Sequence, residues 1–179
     1  MSVANWRKAV GKAVIPVERE WLRSIAASIA LVFKDPVIVN IGIFRGATMY
    51  CMHAGAPNAE MYGIDTVYPQ GHKLDPKMKA KVWKGDSGKL HLKFNKKIHL
   101  LFIDGDHRYP AVKKDIEGWG PKVAVGGYVV FHDFKTEPKV AAKHAGVKRA
   151  ILEWEKVAQW DLMPDMGSMR TYRRNEENA

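Results

Sequence analysis

Two short runs carry most of the ionisable chemistry of this chain, "FIDGDH" at 102–107 and "VVFHDF" at 129–134. In each, an apolar stretch that reads as buried strand gives way abruptly to acids and imidazoles: Asp104, Asp106 and His107 in the first, His132 and Asp133 in the second. Two further acids stand at similar exits, Asp65 after "MYGI" and Asp86, followed by Ser87, after "VWKG". Polar groups gathered where strands end imply the mouth of a site. Histidine there can take a proton from an attacking nucleophile near neutral pH, so His107 and His132 are candidate general bases. A structural alternative is that Asp106 and His107 cap the turn before Pro110.

The turn "NIGIFRGAT" (40–48) adds a ligand-binding signal. A dinucleotide fingerprint requires G-x-G-x-x-G, but Phe44 stands at its second glycine, which disfavours a nicotinamide-dependent oxidoreductase. The spacing is G-x-x-x-G, from Gly42 to Gly46. Gly42 can adopt backbone angles closed to other residues, Gly46 allows close approach of a bound molecule, and the helix start at Gly46–Thr48 offers free N–H groups. Asp65 follows Gly42 at the distance where an acid can accept from both ribose hydroxyls. Asp86 could meet an adenine amino group.

The elements that must position these residues alternate. A first amphipathic helix is expected through Val3, Trp6, Val10 and Val14, and a second after Pro16 with Val17, Trp21, Ile25, Ile29 and Val32 on one stripe. Strands are expected at 36–42, 61–65, 80–83, 98–104 and 126–133, and helices at 46–55, from Pro110 to Trp119, and through Val147, Ile151, Trp154 and Val157. The segment 160–174 reads as two strands around a Gly-Ser turn. This pattern predicts one α/β domain over 1–179, with N-terminal helices at 1–34 and a Rossmann-like core at 36–174. The core is a doubly wound, mostly parallel sheet with a C-terminal antiparallel hairpin strand and helices on both faces. In such sheets ligands collect at the carboxyl ends of the strands.

Composition sets outer bounds. A chain of 179 residues that is 46% hydrophobic and 27% charged can bury a core of its own. Cys51 is the only cysteine, which fits a reducing compartment. The apolar run Ile25–Phe33 is too short to span a bilayer, and no secretory signal is evident, so a cytoplasmic protein without membrane contact is expected. The 29 Lys+Arg against 19 Asp+Glu give a net charge of +10, which favours acidic partners. Nucleic acid is one such partner, but no motif supports it. Oligomeric state is not written in the sequence.

With these segments in view, "LLFIDGDHRYPAVKKDIEGWGPKVAVGGYVVFHDF" (100–134), "GVKRAILEW" (146–154) and the terminal hairpin resemble a small class I S-adenosylmethionine-dependent methyltransferase, of the branch carrying FIDGDHxY and GGYxxFHD. The resemblance implies methyl transfer from S-adenosyl-L-methionine to an oxygen or nitrogen nucleophile, as in an O-methyltransferase. It places Asn40, Gly42, Gly46 and Thr48 at the methionine end of the donor, Asp65 on the ribose, Asp86 and Ser87 on the adenine, and Asp104 near the sulfonium. The family usually has an acid where this chain has Asn40. Relatives that methylate hydroxyls bind Mg²⁺ at the ends of the fourth and fifth strands. The matching positions are Asp104 or Asp106 with His132 and Asp133, where histidine suits a transition metal better than Mg²⁺. A metal site, a metal-free acid–base site and plain turn chemistry all stay open. The lysine-bearing segments 67–79 and 135–146, read as loops, imply a small or acidic acceptor. The alternatives are a module that binds or cleaves S-adenosylmethionine without an acceptor, or a basic nucleic-acid-binding module. His53, His72, His91, His99 and His144 show no mutual metal spacing and receive no role.

Overall fold

The computed structural model describes residues 14–67, 74, 76–158 and 160–175. The expected first helix through Val3, Trp6, Val10 and Val14 lies outside the described residues except for Val14, which is buried in a bend and not in a helix, and most of the 67–79 segment lies outside them as well. The elements in chain order are α1 (Pro16–Val32), β1 (Val37–Ile41), α2 (Ala47–Gly55), β2 (Glu60–Asp65), β3 (Ala80–Lys84), α3 (Ser87–Leu90), β4 (Ile98–Ile103), α4 (Tyr109–Trp119), β5 (Val123–Phe131), α5 (Pro138–Glu155), β6 (Asp161–Leu162) and β7 (Arg170–Arg173).

These strands make one seven-stranded sheet in the order β3-β2-β1-β4-β5-β7-β6. The first five are parallel, and β7 and β6 add as an antiparallel hairpin on the β5 edge. The alternation of side chains along each strand builds two cores. Ile38, Met61, Leu100, Phe102 and Val130 face α1 and α2 with Leu22, Ile25, Ile29, Met49 and Met52. Val39, Ile41, Ile64, Leu101, Ile103, Val129 and Phe131 face α4 and α5 with Val112, Ile116, Trp119, Val147 and Ile151. Cys51 is a buried hydrophobe of the first of these cores, its thiol pushed up to about 12 by burial.

Three expectations need correction. Val17 and Val32 are exposed, and the stripe that α1 buries runs Glu18, Leu22, Ile25, Ala26, Ile29. The 135–146 segment is not a loop: α5 starts at Pro138, its lysine-rich first turns standing clear of the sheet where no apolar periodicity is required. Val157 lies past the end of α5 and is exposed.

The fold positions a site through the ends of its parallel ladder. Gly42 N–H donates to Ile64 O (2.8 Å), Gly85 N–H to Asp65 O (2.9 Å), Asp104 N–H to Ile41 O (2.9 Å) and His132 N–H to Ile103 O (3.1 Å). Each residue just past a strand is thereby tied to its neighbour, so the polar exits stand in register along one rim. Strand order reverses between β1 and β4, the place where ligands bind in open α/β sheets.

Candidate active site

Along that rim lies a cleft of about 1140 Å³, whose walls include Gly42, Asp65, Asp86, Ser87, Asp104 and Asp115. Five sequence-predicted donor residues therefore share one cavity. Gly42 has φ +83°, and a Cβ there would lie 2.0 Å from the Asp104 carbonyl oxygen, so β1 can pass β4 this closely only as glycine.

Asp65 is already engaged. One carboxylate oxygen accepts from Ile43 N–H (2.9 Å) and Phe44 N–H (3.0 Å), the other from Val67 N–H (3.0 Å). The acid that could meet a ribose thus also braces the turn after β1, where Phe44 takes a left-handed φ of 48°. Asp86 caps α3 by accepting from Gly88 N–H at 2.9 Å. Asp115, 2% exposed, has one carboxylate oxygen without a hydrogen-bond partner among the described residues; burial pushes its pKa up to about 6.

Asn40, Gly46 and Thr48 stand behind the cleft rather than in its wall. Asn40 is fully buried and donates from Nδ2 to Thr48 Oγ1 at 2.9 Å, with its Oδ1 unpartnered among the described residues. At Gly46 (φ +81°) a Cβ would lie 2.7 Å from the Leu74 side chain, so the residue makes room for Leu74. The neutral Asn40–Thr48 pair ties the end of β1 to the first turn of α2 inside the core.

Asp104 links this cleft to a second cluster. His107 Nε2 lies 3.5 Å from Asp104 Oδ1 and 3.2 Å from Asp133 Oδ2. His132 Nδ1 lies 3.4 Å from both Asp104 Oδ1 and Asp133 Oδ1, and its Nε2 lies 3.5 Å from Glu18 Oε2. These separations are ion pairs rather than well-formed hydrogen bonds. Burial opposes the charge on His132, but the three surrounding carboxylates prevail and hold its pKa up at about 12. The contact with Asp104 raises His107 in the same way. Asp133 adopts φ +58°, unusual for a residue with a side chain, and keeps its carboxylate among the imidazoles.

Asp106 does not join them, contrary to its candidacy as a metal ligand. Its carboxylate grips the Arg108 guanidinium and accepts from Arg108 N–H at 2.9 Å, which keeps it at the turn before α4. Turn chemistry thus describes Asp106, while His107 points into the cluster. Two members were missed in the sequence. Glu18 sits on the buried stripe of α1, four residues before Leu22. His144 lies three residues before Val147 and seven before Ile151, on the buried stripe of α5, with Nδ1 3.7 Å from Asp133 Oδ1. A charged or imidazole residue on an apolar stripe was the signal for both.

The donor set of Asp104, His132 and Asp133 fits a divalent ion: one atom from each lies within 4.8 Å of the others, and Glu18 behind Nε2 would hold the ring with Nδ1 free to coordinate.

The sheet order and flanking helices give the chain a Rossmann-like fold, the one that class I methyltransferases have. Residues 39–134, more than half the chain, match a family model described as "Methyltransferase domain", and the chain belongs to that family. Among solved structures it is similar to cofactor-bound Rv0187 from MTB (14% identity, 97% of this chain and 89% of that one, TM-score 0.72). It is also similar to the O-methyltransferase NovP (15%, 88% and 79%, TM-score 0.66) and to the MycE methyltransferase in complex with Mg and SAH (12%, 81% and 46%, TM-score 0.58). At these identities the likeness is one of fold. A curated relative, uncharacterized protein R132 of Acanthamoeba polyphaga mimivirus, is 28% identical over 116 residues, 56% of this chain and 52% of the relative. The chain thus spans about half the length of that relative.

Proposed function

We propose that this protein transfers the methyl group of S-adenosylmethionine to a hydroxyl oxygen of a small acceptor carrying negative charge. The observation that carries the reading is the convergence of Gly42, Asp65, Asp86 and Asp104 on one cleft, with the Asp104 carboxylate also in contact with His107 and His132 of the neighbouring cluster. NovP is an O-methyltransferase by name, which supports oxygen over nitrogen as the acceptor atom.

When bound, S-adenosylmethionine supplies a methyl group already activated on a positive sulfur, so the protein mainly has to align it with the acceptor. Asp65 has oxygens placed to accept from a ribose if its turn contacts loosen, and Asp86 and Ser87 stand at the far end of the cleft for the base. Asp104 puts negative charge between cleft and cluster, next to the expected sulfonium. His107, its side chain 28% exposed, is the group positioned to take the acceptor's proton as the oxygen attacks the methyl carbon and the carbon–sulfur bond breaks. Because Asp104 raises its pKa, the rate should climb with pH through a limb above the ordinary histidine value. Lys143, near enough to His107 to oppose its charge, supports a negatively charged acceptor.

His132 is less accessible and acts through others: with Glu18 behind it, it orders Asp104 and Asp133. Asp104, His132 and Asp133 are the residues that would hold a divalent ion. Such an ion would lower the pKa of an acceptor hydroxyl, and its N,O,O donor set favours a transition metal over Mg²⁺.

The test is thermal. S-adenosylhomocysteine should raise the melting temperature of the protein and NAD should not, with the rise lost in Asp104→Ala. No shift at saturating S-adenosylhomocysteine would remove this reading and leave the basic surface, with its nucleic-acid alternative, to be tried by salt-dependent binding.

A further inference from the structure

A second set of metal donors shares Asp133. His107 Nε2 stands 3.2 Å from Asp133 Oδ2 and His144 Nδ1 stands 3.7 Å from Asp133 Oδ1. One donor atom from each of the three residues lies within 4.8 Å of the other two. Zinc bonded to N and O at about 2.0–2.1 Å in a tetrahedron sets its donors about 3.3 Å apart, so the His107–Asp133 spacing is close to an edge of that figure, while His144, facing the other Asp133 oxygen, closes in by a small side-chain adjustment. The two rings meet edge to face with centroids 4.7 Å apart, which keeps them from sliding past each other.

Other features of the site agree. His144 Nδ1 is buried without a hydrogen-bond partner among the described residues. The left-handed backbone of Asp133 is a strain that persists only where the surroundings enforce it. His107 and Asp133 keep 28% and 16% of their side chains exposed, enough for an ion to enter. The groups facing the trio are Asp104, 3.5 Å from His107, His132, 3.4 Å from Asp133, and the cationic Lys143.

We propose that His107, Asp133 and His144 form a binding site for a divalent transition-metal ion of the zinc type, separate from the Asp104–His132–Asp133 position, and that an ion seated there switches methyl transfer off. Two imidazole nitrogens and one carboxylate select a borderline metal over Mg²⁺ or Ca²⁺. The inhibitory half of the proposal rests on the function proposed above: a ring nitrogen of His107 that coordinates an ion cannot also accept the acceptor's proton. Sharing Asp133 further means that ions at the two positions influence each other.

The test uses the full chain with Zn²⁺ alone and Co²⁺ alone, followed by titration calorimetry and, for Co²⁺, visible absorption. Wild type should bind an ion whose affinity falls about 100-fold or more in His144→Ala and in His144→Gln, since even outer partners of a metal ligand are worth 10–100-fold. Mg²⁺ should not displace it, and in His132→Gln it should remain. The melting shift with S-adenosylhomocysteine, read on the same variants, reports folding and the donor site independently.

Equal Zn²⁺ affinity in wild type and both His144 variants overturns the proposal, as does absence of Zn²⁺ and Co²⁺ binding in wild type. Binding lost only in His132→Gln also overturns it, and assigns the ion to the other position. A His144-dependent ion in a protein that ignores S-adenosylhomocysteine would uphold the metal site while sinking the transferase reading. If both hold, micromolar Zn²⁺ should inhibit transfer in wild type and the inhibition should weaken in His144→Gln.

Discussion

The Glu18 carboxylate on α1 faces Nε2 of His132, at the end of β5, across 3.5 Å. The same carboxylate accepts from Ser168 N–H (2.8 Å), Ser168 Oγ–H (2.7 Å) and Ile15 N–H (3.0 Å). One side chain, 2% exposed, thereby fastens the N-terminal helix to the β6–β7 hairpin and anchors the floor of the imidazole cluster. Trp21, donating to Thr171 Oγ1 at 2.9 Å, makes a parallel tie.

Glu18→Ala should therefore be among the most damaging single changes outside the cleft, costing about 3–5 kcal/mol, because it removes one of three carboxylates around a buried imidazolium and leaves Ile15 N–H and Ser168 N–H without their acceptor. The pH dependence has a defined sign. His132 has a folded pKa raised from 6.5, so its contribution is complete below 6.5 and declines as pH rises toward about 12. Glu18 has a folded pKa lowered from 4.5, so its contribution is complete above 4.5 and is lost on further acidification through the folded value. The melting-temperature gap between wild type and Glu18→Gln should be widest between about pH 4.5 and 6.5. A gap that is flat from pH 4 to 9 would contradict the ion pair.

Asp65→Ala should weaken S-adenosylhomocysteine binding by about 10- to 100-fold, the worth of one or two hydrogen bonds to a charged acceptor. The variant also frees Ile43, Phe44 and Val67 N–H groups, so the turn after β1 should exchange its amide hydrogens faster. Calorimetry and hydrogen exchange read the two effects separately. Unaltered affinity would place the ribose elsewhere.

Gly42→Ala sets a methyl group 2.0 Å from the Asp104 carbonyl oxygen and strains a positive φ. A loss of at least about 2 kcal/mol is expected in urea unfolding, together with weaker donor binding, since β1 must retreat from Asp104. Gly120→Ala, where a Cβ meets no atom within 4 Å, serves as the mild control.

Asp115 offers a test of opposite sign. It faces Ser87, which lowers its pKa, and Asp86 and Asp106, which reinforce the dominant effect of burial in raising it to about 6. The folded state then binds a proton that the unfolded chain releases near 3.8, so stability falls as pH rises from about 4 to 6 and stays lower above. Asp115→Asn, free of that ionisation, should melt above wild type at pH 8, and the difference should narrow by pH 5. A variant less stable at every pH would mean that the ionised carboxylate does structural work.

Much of this architecture was legible in one dimension. The β-branched run at 37–41, the apolar run at 98–103 and the alternation with helices leave little besides a parallel sheet, and a parallel sheet sends its exits to one side. Hence Gly42, Asp65, Asp86, Ser87 and Asp104 could be gathered from sequence and stand in one cleft. Asp106 could not be separated from His107 that way, because only the bidentate grip of Arg108 decides which of two adjacent polar residues turns outward. The start of α5 was misread for a related reason. Its first turns expose their lysines, so they show none of the apolar period that marks a helix at its buried positions.

The sequence by itself determined the fold class: strand and helix periods, the glycine spacing and acids at four strand exits are local properties, and local properties are written in order along the chain. Only the tertiary structure decided that Glu18 from α1 and His144 from α5 close around Asp104, His107, His132 and Asp133. Those partners lie far apart in sequence, and what brings them together is the burial of two amphipathic stripes against the two faces of one sheet, a constraint no single segment contains.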